Sequence, residues 1–165
     1  MRPAARPVTL PADVRAASAR LARQTTGSVL VLGWDPPGLA SAGGRHIQRL
    51  SHPSRVQEVE PVNTVLATCE LWRSTWDEAC LSGLRAALRP EGRLLFVEPV
   101  RVTGTSGVAQ RVLAPALRRR YGMSFDRVVP DLLRDASLVP VRLDRLSLGR
   151  WGRVVSFVTG VAVAR

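Results

Sequence analysis

The sequence predicts a single α/β domain built on a mostly parallel sheet, and three observations carry that expectation. Short, almost wholly apolar runs bounded by turn residues recur along the chain, as in Ser28–Gly33 and Arg93–Val97, the pattern of strands covered on both faces. Segments with apolar residues at helical spacing separate these runs, as in Pro11–Arg23 and Asp77–Leu88. The chain has 165 residues, enough for one domain that buries roughly two thirds of its unfolded surface.

Taken in order, Pro11 can occupy the first turn of a helix in which Val14, Ala17 and Leu21 share a face, and Gly27 stops it. Ser28–Gly33 is the first strand. Arg45–Leu50 is a weaker strand candidate, and Arg55–Glu60 alternates valine with polar residues. Thr64–Leu71 is the next apolar strand. Because parallel strands need a crossover of roughly a dozen residues, two arrangements are open before it. Either Arg45–Leu50 is the second strand and Ser51–Asn63 is the return, or Arg55–Glu60 pairs antiparallel. In Asp77–Leu88, Leu81, Leu84 and Leu88 fall on one helical face, and Arg89-Pro90-Glu91-Gly92 closes the segment. Arg93–Val97 is another buried strand, and Gly107–Arg120 and Phe125–Ser137 read as helices. Val139–Leu148 and Val154–Ala164 form a closing pair joined by a Gly-Arg-Trp-Gly turn, an antiparallel C-terminal addition to the sheet. These elements make a Rossmann-like sandwich.

Composition narrows the function classes. The chain is 45% apolar with a mean hydropathy of +0.03, the profile of a globular domain. Its longest mostly apolar tract, Val154–Ala164, is too short to span a bilayer. Met1–Pro11 has no apolar core of a secretion signal, so the expected location is cytoplasmic. Cys69 and Cys80 lack zinc-ligand spacing, and no Cys, Asp or Glu cluster accompanies His46 and His52, so no metal site is expected. The net charge of +11 comes from arginine alone, since the chain has no lysine. That pattern reads as coding bias with a solvated arginine surface rather than a nucleic-acid grip. Arg118-Arg119-Arg120 is followed by a lone Tyr121, with no RNA-binding motif or zinc finger around it. Neither a phosphate-binding P-loop nor a serine-hydrolase elbow is present.

From Asn63 onward the chain resembles the class I S-adenosylmethionine-dependent methyltransferases, in particular a small-molecule branch that includes quinone-biosynthesis enzymes. The resemblance rests on "NTVLATCELWRSTWDEACLSGLRAALRPEGRLLFVEPV", where the family has a strand, a helix, an "LRPGGRL" turn and a strand ending in an acid. "LAPALRRRYGMSFDRVVPDLLRDASLVPVRLDRL" continues it, with Ser137-Leu138 where the family usually has Gly-Phe, and "FVTGVAVAR" resembles the last strand. The layout implied is one domain over residues 1–165: an N-terminal helix region (1–27), a divergent cofactor half (28–62) and a family-like second half (63–165). One helix and one strand of the usual fold are missing between the halves.

The resemblance implies S-adenosylmethionine as cofactor and a small molecule as methyl acceptor. The family's first loop is similar to "D/E-x-G-x-G-x-G". Here Val29–Gly33 matches its strand and first glycine, Val31 stands where an acid would be, and Trp34, Asp35, Pro36 and Pro37 replace the flexible centre before Gly38. Gly33, Trp34, Asp35 and Gly38 are therefore the candidate cofactor loop. Thr68 and Cys69 lie where the family places the methionine end of the cofactor, and Glu70 is the candidate base or amine-orienting residue. Trp72 and Trp76 are candidates to wall a pocket or to pack under the following helix. Glu60 is the candidate for the acid that the family places at the end of its second strand to bind the ribose hydroxyls. Three functions follow as expectations: a small-molecule methyltransferase, a non-catalytic binding or scaffolding subunit that dimerises through its truncated edge, and, on charge alone, a nucleic-acid-binding protein.

Overall fold

The structure is a computed structural model that describes residues 10–39, 46–50, 52–71, 78–101, 104–121, 128–146 and 156–164. Helix α1 (Ala12–Ala22) leads into β1 (Val29–Gly33) and β2 (Ile47–Leu50). A 3-10 helix (Pro53–Glu58) precedes β3 (Val62–Thr68), followed by α2 (Glu78–Ala86) and β4 (Leu88–Val100). Helices α3 (Gly104–Tyr121) and α4 (Val129–Asp135), then β5 (Leu138–Leu146) and β6 (Ser156–Ala164), complete the order. The six strands form one sheet in the order β2-β1-β3-β4-β6-β5. Strands β1 to β4 run parallel, and β6 runs against both β4 and β5. Among the described residues no helix is long and apolar enough to cross a membrane.

The apolar runs are explained by cover on both faces. Val29 and Val31 of β1 share one core cluster with Val14, Ala17 and Leu21 of α1, while Leu30 and Leu32 share the other with Leu81 and Leu84 of α2 and Leu132 and Leu133 of α4. A strand buried on both sides has no solvent face to mark with polar residues.

Several expectations are refined. The second strand is the Arg45–Leu50 candidate, parallel to β1 with Val29 beside Ile47. Arg55–Glu60 is not a strand. Pro53 opens a 3-10 helix capped by the His52 ring, whose Nδ1 accepts from the Ser54 N–H at 3.3 Å. Valines in that segment serve one face, with Val56 buried, rather than an alternating strand. The Arg89–Gly92 stretch does not end a helix in a free turn. It is an irregularity inside β4, where pairing steps from Val62↔Leu88 to Thr64↔Arg93. The closing pair does form the antiparallel addition to the sheet, with β6 between β4 and β5 and β5 outermost. The start of the expected Phe125–Ser137 helix (125–127) and the Gly-Arg-Trp-Gly turn lie outside the described residues.

Two departures from the family's glycines have a visible backbone consequence. Glu91 and Ser137, which stand at glycine positions of the motif, both take positive φ (65° and 53°). The local fold keeps the left-handed turn that glycine would favour and holds an ordinary residue in it.

Gly160 sits where β6 is wedged between its neighbours. A Cβ there would lie 2.5 Å from Cζ of Phe96 on β4 and 2.6 Å from the Arg142 carbonyl on β5. Gly160→Ala is expected to lower stability by about 1–3 kcal/mol through overpacking, read as a lower urea midpoint at unchanged slope.

Candidate functional site

Ligands of open α/β sheets bind outside the carboxyl ends of the strands, where successive connections leave in opposite directions. Here that point lies between β1 and β3: the chain leaves β1 for β2 on one side and returns to β3 on the other. Gly33, Trp34, Thr68, Cys69 and Glu70 converge there. Gly33 has φ 79°, and a Cβ on it would lie 2.3 Å from the Thr68 carbonyl and 3.1 Å from Cβ of Glu70. The Trp34 N–H points at the same carbonyl at 3.4 Å. Thr68 is tied to α1 by a buried 2.7 Å hydrogen bond between its hydroxyl and that of Ser18.

Beyond β3 the chain is shaped by a carboxylate that the sequence reading did not select. Glu98, at the end of β4, is fully buried, and its Oε1 accepts the N–H groups of Glu70 at 3.1 Å and Leu71 at 3.2 Å. Cys69 completes the turn with φ 52° and donates its N–H to the Val97 carbonyl at 2.9 Å. The available signal was a lone acid inside the apolar run Leu94–Val100, since a charge is buried only where something pairs with it. Trp72 and Trp76 lie outside the described residues.

The loop after β1 is closed on itself. Pro36–Leu39 forms a turn with Pro37 and Gly38 at its centre, Gly38 at φ 83° and the Leu39 N–H bonded to the Pro36 carbonyl at 3.3 Å. Pro36 and Leu39 are buried, and Leu39 joins the core on the α1 face. Asp35 is engaged from β2 by Arg49, Nε to Oδ2 at 2.6 Å. Glu60 is not gathered with this group. It precedes β3, at the opposite end of the sheet, where its carbonyl accepts from the Gln48 side chain at 3.4 Å. The physical reason is strand direction: an acid ahead of a parallel strand stands at that strand's amino end.

In its described residues the loop after β1 departs from the family's glycine-rich cofactor loop. Pro36 and Pro37 have no N–H to offer, and those of Trp34 and Leu39 are directed at carbonyls of the chain. Where the family ends its second strand in a ribose-binding acid, this chain reads Gln48-Arg49-Leu50, and the arginine is turned to Asp35.

Cys69 is a buried free cysteine. Burial, reinforced by the carboxylates of Glu98 and Glu70, pushes its thiol well above the ordinary cysteine value. Its favourable contribution is complete below the unfolded thiol pKa of about 8.5 and is lost as pH rises from there toward the folded value. Cys69→Ala is expected to flatten that alkaline decline in denaturation experiments, and alkylation mapped by mass spectrometry should reach Cys69 only after unfolding. Glu98→Leu leaves two buried N–H groups without their acceptor, at a cost of about 1–3 kcal/mol for each. Glu98→Gln keeps an acceptor oxygen and should recover part of that loss in the same denaturant titration.

No protein-family model and no curated protein sequence matches the chain. Solved structures do. The mitomycin 7-O-methyltransferase MmcR is 16% identical at a TM-score of 0.57 over 91% of this chain, which spans only 54% of that enzyme. The geranyl diphosphate C-methyltransferase of Streptomyces coelicolor A3(2), solved with Mg2+, geranyl diphosphate and S-adenosyl-L-homocysteine, is 10% identical at a TM-score of 0.65. That match covers 91% of this chain and 80% of the enzyme. The cyclase SpnF is 12% identical at 0.57, covering 88% of this chain and 79% of its own. Sheet order, strand directions and these likenesses give the chain the Rossmann-like fold of the class I S-adenosylmethionine-dependent methyltransferases.

Proposed function

We propose that the chain is a methyltransferase-like protein that keeps the sheet and the acid-supported β3–β4 edge but has replaced the nucleoside grip with its own loop, and that it works as a non-catalytic binding or scaffolding subunit. The observation that carries this reading is the Asp35–Arg49 pair at 2.6 Å, together with the buried Pro36–Leu39 turn. These put the chain's own side chains where the family's loop and second strand present donors and an acid. A solved neighbour described as a cyclase also supports separating this fold from methyl transfer.

A second reading, methyl transfer to a small molecule, is favoured by one feature. Gly33 is exposed beside Glu70, and the cofactor's ammonium and sulfonium are cations that a carboxylate there would attract. Isothermal titration with S-adenosylmethionine and S-adenosylhomocysteine separates the two. No heat is expected up to millimolar ligand, where binding weaker than about 4 kcal/mol escapes detection, with circular dichroism showing the protein folded. Saturable micromolar binding of either ligand would overturn the non-catalytic reading, and transfer of a labelled methyl group would establish the second.

A further inference from the structure

An ordinary surface helix puts its apolar stripe on the core, yet several large apolar side chains of α3 face outward. Among the described side chains of α3, Gly107 and Gln110 are buried and Ala114 is half-buried. Gln110 fixes this orientation by donating from Nε2 to the Val100 carbonyl at the end of β4, 3.0 Å away. The opposite face carries Val108 and Val112 one turn apart, 52% and 73% exposed, with Leu113 beside them at 42%. Pro115 continues the stripe and is also exposed.

Charge says what kind of surface suits this stripe. Gly104–Tyr121 contains no acidic residue; Arg111 is exposed beside the valines, and Arg119 is exposed in line with them two turns beyond Val112. A second copy of a chain carrying +11 charges would be repelled. A membrane surface is disfavoured by the residues themselves: interfacial helices sink Trp, Phe or several Leu into lipid, whereas here Leu113 is the one large side chain beside two valines and a proline among the described residues. Short apolar side chains rimmed by guanidinium groups match an amphipathic helix whose leucines meet the valines and whose carboxylates meet the arginines.

We propose that the outward face of α3, centred on Val108 and Val112, is a docking surface for an acidic amphipathic helix of another protein. The proposal is independent of what the carboxyl edge of the sheet binds. The test uses the full chain and a fluorescent synthetic helix of leucine and glutamate, followed by anisotropy at physiological salt. Saturable binding is expected, weakened at least about tenfold by Val112→Asp, equivalent to about 1.4 kcal/mol. That site is 73% exposed, so the variant should keep the thermal unfolding of the parent, and Val108→Asp provides an independent repeat. Equal binding of polyglutamate would reduce the surface to bare charge and overturn the proposal. So would binding that both aspartate variants leave intact, binding to phosphatidylglycerol vesicles in place of the peptide, or a dimer in sedimentation that Val112→Asp dissolves.

Discussion

The approach of β1 to β3 is the constraint from which the rest of the carboxyl edge follows. At the lower end, Asn63 takes the N–H and hydroxyl of Ser28 on one side-chain oxygen, at 3.1 and 3.0 Å. At the upper end, Gly33 passes so close to the Thr68 carbonyl that no side chain fits between them. The two strands are thus stapled at both ends across a separation of 35 residues. The glycine that looks like the first of a cofactor loop is demanded by this contact, whether or not a ligand lies above it.

From that seam the acid-supported turn is built outward. Thr68 is anchored from one face by Ser18, and the backbone beyond it is held from the neighbouring strand by Glu98. A buried carboxylate facing two amides is a stronger acceptor than a neutral side chain, so Cys69 can be kept at positive φ within a short turn. Burial first, and then the carboxylate of Glu98 that shapes the turn and that of Glu70 beside it, hold the thiol pKa above its ordinary value. Geometry and electrostatics come from one arrangement.

The loop on the other side of the seam is made differently. An exposed ion pair such as Asp35–Arg49 contributes at most about 1 kcal/mol, so it cannot by itself hold the loop. Proline restricts the backbone before folding, and the burial of Pro36 and Leu39 anchors the turn to the core. The ion pair then chooses what the arginine at the end of β2 faces. A turn restricted by proline and anchored in the core differs from a glycine-rich cradle, whose backbone is free to shape itself to a ligand.

The elements were largely legible in the sequence, because two-sided burial writes itself as apolar runs and helices as spaced leucines. β1, β2, β3, the core of β4 and the first three helices fall where those patterns stand, and the missing helix and strand show as too short a stretch between Leu50 and Val62. Misreadings came where a local pattern serves a distant partner. Valines alternate in Arg55–Glu60, yet they belong to a 3-10 helix and the residues that follow it. At the site, the family resemblance, laid over strand ends and turn residues, named Gly33, Trp34, Asp35, Gly38, Thr68, Cys69 and Glu70, and also Glu60. Only the tertiary structure decided that Glu98 shapes the turn, that Arg49 takes Asp35, that Glu60 stands at the far end and that the valines of α3 face outward. The physical reason is that pairing depends on strand order and direction, which are set by the packing of the whole sheet and have no signature in neighbouring residues.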